Sequence, residues 1–258
     1  MGHPDLDLSN QTAVVIGGTS GIGLAIALGL ARAGANVVPT GRRKDRVQSA
    51  AEEIRKLSRR SIEVTTDVAK RASIEALLQA SRAEFGSVEI LVNSAGTTKR
   101  TPTLDVSEAE WNSILDINLT GTLRSCQVFG PHMIERKYGR IINIASISSF
   151  HALYEVAAYS ASKAAVAMLT KSLAIEWARH GVCVNAIAPG VFRTELNSSL
   201  LDGTARGKEF LMRIPMGRFG KTEELAGAAV FLASKSASYL IGHILAVDGG
   251  SLASGVNQ

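Results

Sequence analysis

The chain has 258 residues, 46% apolar and 20% charged, a balance that suits one soluble globular unit and excludes a disordered or low-complexity chain. The net charge is +5, but the basic runs at 42–46, 55–60 and 136–140 lie far apart with no interleaved aromatics, so no nucleic-acid partner is expected and the last two runs read as solvated surface. Two cysteines at no paired spacing, Cys126 and Cys183, exclude a disulfide framework and a zinc site and fit a reducing cytoplasm; residues 1–10 lack a signal-peptide pattern, and no apolar stretch reaches the roughly 20 residues of a membrane span.

Short apolar runs at 12–17, 36–40, 61–66, 88–92, 140–145, 182–188 and 244–247 predict strands, apolar almost throughout as in a parallel sheet covered on both faces. After the first run, Ile22, Ala25, Ile26, Gly29 and Leu30 recur on one helical face. Ser107 with Glu110 predicts a capping box that opens a long helix through Trp111 and Ile114. Thr222, followed by Glu223 and Glu224, opens another. This alternation predicts a single α/β domain over 1–258, a Rossmann-type, doubly wound parallel sheet of about seven strands. The stretch 193–219, with Gly203, Gly207 and Pro215 and no strand pattern, is expected to be a substrate lid holding a short helix.

The first strand runs into Gly17, Gly18, Thr19, Ser20, Gly21, Ile22 and Gly23 and then directly into a helix. Such a turn places a pyrophosphate on free N–H groups at a helix start, and glycine lets the backbone approach it. The spacing is Gly-x-x-x-Gly-x-Gly rather than Gly-x-Gly-x-x-Gly. Where a fold of this kind places an acid to read a ribose 2′-hydroxyl, this chain has Gly41, Arg42 and Arg43. Arginine forks match a 2′-phosphate, and the helix dipole gives no other reason for cations at a helix start. NADP(H) is therefore expected over NAD(H), with NAD(H) left open. Further along, Tyr159 and Lys163 stand four apart at the start of a helical stretch, so phenol and ammonium share a face. The spacing predicts a tyrosine with a lowered pKa, suited to proton transfer near neutral pH. Tyr154 has Ala158 at the same offset and reads as a loop aromatic near the site mouth.

In this order these motifs resemble the short-chain dehydrogenase/reductase family. The resemblance runs over about 11–250 and includes Asn93-Ser94-Ala95-Gly96, Asn118, Ser146, Pro189-Gly190 and Asp248-Gly249-Gly250. It implies a general acid/base at Tyr159. Lys163 would bind the nicotinamide ribose and depress the phenol pKa. Ser146 would hold the substrate oxygen, and Asn118 a water in a proton relay. Gly17, Ser20, Gly21, Ile22 and Gly23 would cradle the pyrophosphate. Asp67 and Val68 would lie by the adenine, and Asn93, Ala95 and Gly96 by the adenosine ribose. Pro189 and Gly190 would also contact the cofactor, and Thr194 would face the carboxamide or the phosphates. Ser148 is a rival to Ser146, and the family spacing favours Ser146. Ile16, Ser94 and Ser20 depart from common family choices, and the last leaves the NADP reading on Arg42 and Arg43.

The resemblance implies hydride transfer between a nicotinamide and a carbonyl or secondary alcohol, with no metal. For substrate, the segment around Lys99 and Arg100 is similar to gluconate and keto-gluconate dehydrogenases, and Arg100 could clamp a carboxylate. Ser148 and His151 are further candidate substrate contacts. The alternative is a 3-oxoacyl-carrier-protein reductase, with Lys137 and Arg179 as carrier-gripping cations near the entrance. A non-enzyme alternative is an NADP-sensing regulator, which the retained tyrosine and lysine disfavour. The resemblance also implies a homotetramer built from the helical segments 107–135 and 157–180 and from the final strand with 251–258.

Overall fold

Residues 3–194 and 197–255 are described by a computed structural model. Among them, six apolar runs pair edge to edge: β1 (Thr12–Ile16), β2 (Asn36–Thr40), β3 (Ile90–Asn93), β4 (Gly139–Ile144), β5 (Val182–Pro189) and β6 (Ile244–Val247). The order is β2-β1-β3-β4-β5-β6, and every pairing is parallel. The helices are α1 (Gly21–Arg32), α2 (Lys44–Lys56), α3 (Arg71–Phe85), α4 (Glu108–Leu115), α5 (Gly121–Glu135), α6 (Ala157–Trp177), α7 (Ser198–Leu201), α8 (Ala205–Arg213) and α9 (Ala226–Ala233).

Side chains alternate across a strand, so β1 feeds two cores. Ala13 and Val15 pack with Ile26 and Leu30 of α1 and Leu232 of α9. Val14 and Ile16 pack with Leu77 of α3, Phe129 and Met133 of α5, and Leu173 of α6. Phe129 is fully buried, which stabilises the fold by roughly 2–3 kcal/mol and fixes α5 against the sheet. The chain leaves β1 for β2 on one side and returns to β3 on the other. Crossovers diverge there, and the C-terminal ends of β1 and β3 frame a crevice of the kind that binds dinucleotides.

The seventh predicted strand, at 61–66, does not form. A parallel partner on that edge of β2 needs the N–H groups of residues 37, 39 and 41. Val37 donates to the Arg60 carbonyl at 3.1 Å, and Thr66 donates back to Gly41 at 2.9 Å. Between them stands Pro39, which has no N–H. Side chains substitute for the missing ladder: Thr40 Oγ1 donates to the Val64 carbonyl at 2.5 Å, and Asn36 Oδ1 accepts the Arg60 N–H at 3.1 Å. One isolated bridge, Gly41 with Thr65, remains.

The long helix expected from Ser107 is also interrupted. Ser107 Oγ caps α4 by accepting the Glu110 N–H at 3.2 Å, but the Glu110 carboxylate pairs with Lys99. The chain then widens into a π-turn over Asp116–Thr120, where the Gly121 N–H reaches back to Asp116. Gly121 packs against Val68 so closely that a Cβ would lie 2.9 Å from the valine side chain. A third correction concerns the basic run at 136–140. Arg140 is buried, stacked 4.6 Å from the Tyr138 ring and donating to the Gly139 carbonyl at 3.0 Å. Both cysteines pack as buried thiols. The stretch 193–219 carries α7 and α8, two short helices rather than one; Glu195 and Leu196 within it, and 256–258 of the C-terminal segment, lie outside the described residues.

Candidate active site

The turn between β1 and α1 is built by glycine. Gly17 has φ +79, and a Cβ there would stand 2.5 Å from the Ala95 nitrogen, so this turn lies directly on the one after β3. A Cβ on Gly23 would stand 2.1 Å from the Gly17 carbonyl oxygen, so the first turn of α1 is closed onto its own loop. Ser20 is the N-cap but makes no capping bond. The N–H groups of Gly21, Ile22 and Gly23 have no acceptor among the described residues. Thr194, after β5, lies over this helix start, since a Cβ on Gly21 would touch its methyl at 3.4 Å. Uncapped N–H groups at a helix N-terminus suit a phosphate, so the residues present fit a dinucleotide.

At the end of β2, Arg42 and Arg43 are exposed and have no ion-pair partner among the described residues. Gly41 faces Thr19, whose Oγ1 would stand 3.0 Å from a Cβ there. Asp67 is half-buried, its Oδ1 accepting the Ala69 N–H at 3.1 Å, and Val68 is buried beside Gly121. Pro189 ends β5, and Gly190 packs on Asp248 beyond β6, so closely that a Cβ on the glycine would stand 2.6 Å from the Asp248 Cα.

The catalytic candidates meet at the C-terminal ends of β3 and β4. Lys163 is buried, and its Nζ donates to the Ile144 carbonyl at 2.6 Å. It lies 5.8 Å from the centroid of the Tyr159 ring. Ser146 lies close enough to the Tyr159 hydroxyl to draw its pKa down against burial, and its Oγ accepts the Ser148 N–H at 3.1 Å. A Cβ on Gly96 would stand 3.4 Å from Asn118 Oδ1 and 3.6 Å from Lys163 Nζ, so glycine keeps the floor of the site open. Asn118 sits in the π-turn with its amide fully engaged. Its Nδ2 donates to the Thr97 carbonyl at 2.9 Å and to Ser162 Oγ at 3.0 Å, and its Oδ1 accepts the Thr97 N–H at 2.8 Å.

The electrostatics correct one expectation. The spacing predicts a depressed Tyr159 pKa; burial instead pushes the phenol up, and Ser146 draws it only part of the way back. Burial pushes the Lys163 ammonium down to about 8. The physical reason is burial, which penalises the charged form of both the phenol and the ammonium.

Asn93 lies at the end of β3 with its side chain turned into the core, donating to Asn143 Oδ1 at 2.9 Å; Asn143 in turn donates to Thr170 at 2.9 Å. Ser148 is buried with its hydroxyl unpartnered, and His151 is exposed on the loop before α6. Tyr154 is exposed on the loop before α6. Lys137 and Arg179 precede β4 and β5 and so lie at the opposite end of the strands from Ser146 and Tyr159. That removes them from the mouth of this chain's own site. Sequence reasoning missed Ser162, which ties Asn118 to α6, and two residues at the mouth, Glu155 and Arg206. Ser162 lies between Tyr159 and Lys163 and could have been found as the inward position of that turn.

A family model described as "Enoyl-(Acyl carrier protein) reductase" matches residues 17–251. The chain is a member of the short-chain dehydrogenase/reductase family. It is 39% identical to a gluconate 5-dehydrogenase of Gluconobacter oxydans, over 97% of this chain and 98% of that one. It is 41% identical to a D-threitol dehydrogenase of Mycolicibacterium smegmatis, over 95% and 94%. It superposes with a TM-score of 0.93 and 38% identity on a crystal structure of a gluconate 5-dehydrogenase from Burkholderia cenocepacia in complex with NADP and tartrate, covering 97% of this chain and 98% of that one. These family members are oxidoreductases, and the convergence of serine, tyrosine and lysine is of the kind their chemistry requires. Among the described residues no helix is long and apolar enough to cross a membrane.

Proposed function

We propose that this chain interconverts a secondary alcohol and a ketone on a sugar acid or polyol, a sugar acid first, with NADP(H) as the preferred cofactor. The observation that carries the reaction is the convergence of Ser146, Tyr159 and Lys163 above the open floor at Gly96. The substrate class is supported by relatives named for gluconate and threitol and by a solved relative that holds tartrate, a dicarboxylate.

When bound, the nicotinamide supplies or accepts the hydride. The chain does the rest. Gly21, Ile22 and Gly23 offer free N–H groups to the pyrophosphate, with Gly17 and Ser20 shaping the turn. Arg42 and Arg43 offer guanidinium forks to a 2′-phosphate, and Gly41 leaves room for it. Asp67 and Val68 flank the adenine, Ala95 and Gly96 the ribose, and Pro189, Gly190 and Thr194 the nicotinamide end. Lys163 holds the nicotinamide ribose hydroxyls. In the reduction direction the Tyr159 hydroxyl gives its proton to the substrate oxygen as that oxygen gains charge, and Ser146 holds the same oxygen in place. A phenol kept protonated by burial is ready to give that proton. In the oxidation direction Tyr159 must first lose it, which the Lys163 charge favours once the two are drawn together. Asn118 holds the relay water toward Lys163, while its amide positions the Gly96–Thr97 turn and Ser162.

Two further parts of the reading concern motion and assembly. Residues 193–219 act as a lid over the crevice. Four copies assemble, with α6 as one contact: its stripe of Ala161, Ala164, Met168 and Ile175 is exposed on the single chain. Light scattering at micromolar concentration should give the mass of a tetramer. The reaction itself is tested with a panel of aldonates, keto-aldonates and polyols, each assayed with NADPH or NADP and with NADH or NAD. Turnover of acyl thioesters in preference to every sugar acid would overturn the substrate class.

A further inference from the structure

A charge cluster at the site mouth takes no part in the proton chemistry above. Arg100 Nη2 pairs with Glu155 Oε2 at 2.6 Å, and the Arg100 guanidinium lies 6.0 Å from the Tyr154 ring centroid. Glu155 has φ +61, an uncommon conformation for a residue with a side chain, and its carbonyl accepts the Thr101 N–H at 2.9 Å. Such a conformation persists only where the surroundings impose it. From the lid, Arg206 on α8 reaches across to the same loop, and both its Nη atoms donate to the Tyr154 carbonyl at 3.3 Å.

The lid's other arginines have acids of their own: Arg193 pairs with Asp202, Arg213 with Glu209 and Arg218 with Glu224. Arg206 has no carboxylate partner among the described residues. It is half-buried, and both burial and the neighbouring Arg100 charge weigh against its cation, while Glu155 favours it. Two guanidinium groups therefore lie near one carboxylate that only Arg100 pairs with, and that carboxylate is carried four residues before Tyr159.

We propose that Arg206 and Arg100 together form the receptor for the substrate's carboxylate, with Glu155 as the built-in counter-ion that holds Arg100 in place, so that the lid distinguishes a sugar acid from a neutral polyol. An incoming carboxylate makes the count two acids to two arginines. It can take a bidentate bond from the Arg206 fork, in exchange for two long contacts to one backbone oxygen. A polyol of the same length offers no charge and leaves Arg206 where it is. This rests on the sugar-acid reading above and adds the lid residue that selects for the acid.

The test uses the full chain with Arg206→Gln and Arg206→Lys. Gluconate oxidation with NADP gives kcat and KM, and sorbitol, which replaces the carboxylate by an alcohol, is measured as alternative substrate or as competitive inhibitor. R206Q should raise the gluconate KM about 10- to 100-fold with kcat changed far less, and lower the gluconate-to-sorbitol preference by the same factor. R206K, which keeps the charge but not the fork, should fall between. Equal losses on gluconate and sorbitol would mean that Arg206 only holds the lid together, and an unchanged gluconate KM would mean that it does not meet the carboxylate; either overturns the proposal and leaves the sugar-acid reading standing. If the unmodified enzyme oxidises sorbitol but no sugar acid, both fall.

Discussion

Burying Lys163 costs the fold stability, and that cost can be measured. Its ammonium is buried, and burial takes its pKa from 10.5 to about 8. At roughly 1.4 kcal/mol per unit, holding the proton in the folded state at pH 7 costs about 3 kcal/mol. The folded pKa lies below the unfolded one, so the unfolded chain binds more protons between them. Stability from this group therefore rises with pH, across a window from about 8 to 10.5. Integration from pH 7 to pH 9 gives about 1 kcal/mol. Lys163→Met removes the titration while keeping most of the volume. It also strips the Ile144 carbonyl of its donor, at a cost of about 1–3 kcal/mol that does not depend on pH. The sign of the net change at one pH is thus not the test; its pH dependence is. Urea unfolding of both proteins, without cofactor, at pH 7 and pH 9 should show the native chain gaining about 1 kcal/mol on the variant over that interval. A stability difference that stays constant between the two pH values would refute the reasoning. The variant should have no measurable turnover.

Two further outcomes follow from the same geometry. Tyr159→Phe keeps the ring and loses only the hydroxyl that Ser146 meets, so turnover should fall roughly 10²–10⁴-fold while NADPH still quenches or shifts fluorescence on binding; near-normal turnover of purified variant would remove Tyr159 from the chemistry. The double change Gly41→Asp with Arg42→Leu should reverse the cofactor preference, because a charge-assisted phosphate bond contributes about 1.5–3 kcal/mol, or roughly 10- to 100-fold in affinity, and the new carboxylate offers an acceptor to a free 2′-hydroxyl. A Cβ at 41 must displace Thr19 Oγ1, 3.0 Å away, by only a few tenths of an ångström, so the fold should tolerate it. The ratio of kcat/KM for NADPH and NADH in both proteins checks this, and a native enzyme that already favours NADH tenfold would leave Arg42 and Arg43 as solvated charge.

Most of the sheet was legible because a strand buried on both faces is apolar at nearly every position, as β1, β3 and β5 are. The run at 61–66 has strand-like composition, yet its pairing depends on Pro39, a residue of a different segment. Apolar pattern reports which residues seek burial; it does not report whether the neighbouring strand has a donor to give. The break after α4 was hidden for a related reason. Helical periodicity continues through Asp116–Thr120, and the extra residue of the π-turn shows only in which carbonyl the Gly121 N–H finds. Arg140 reads as surface charge in a basic run, and only the packing of Tyr138 and the carbonyls of its surroundings make its burial tolerable.

The site divides along the same line. Residues whose role is set by their own backbone were readable: glycines that must lack a Cβ, and a tyrosine and lysine one helical turn apart. Residues whose role depends on a second segment were not. Nothing near Asn118 announces that its amide will be taken up by Thr97 and Ser162, and nothing near Arg206 announces Tyr154. The reversed shift at Tyr159 belongs here too. Spacing placed the ammonium on the right face, but how deeply the fold buries the phenol, which sets the direction of its shift, is decided by the packing of other segments. The residues expected to hold the cofactor are local in sequence because they are grouped one turn at a time, whereas those proposed to meet the substrate come from separate segments. That is why the reaction could be read from the chain, and why the proposed choice between an acid and a polyol rests on a contact, Arg206 to the loop before α6, that only the folded structure brings together.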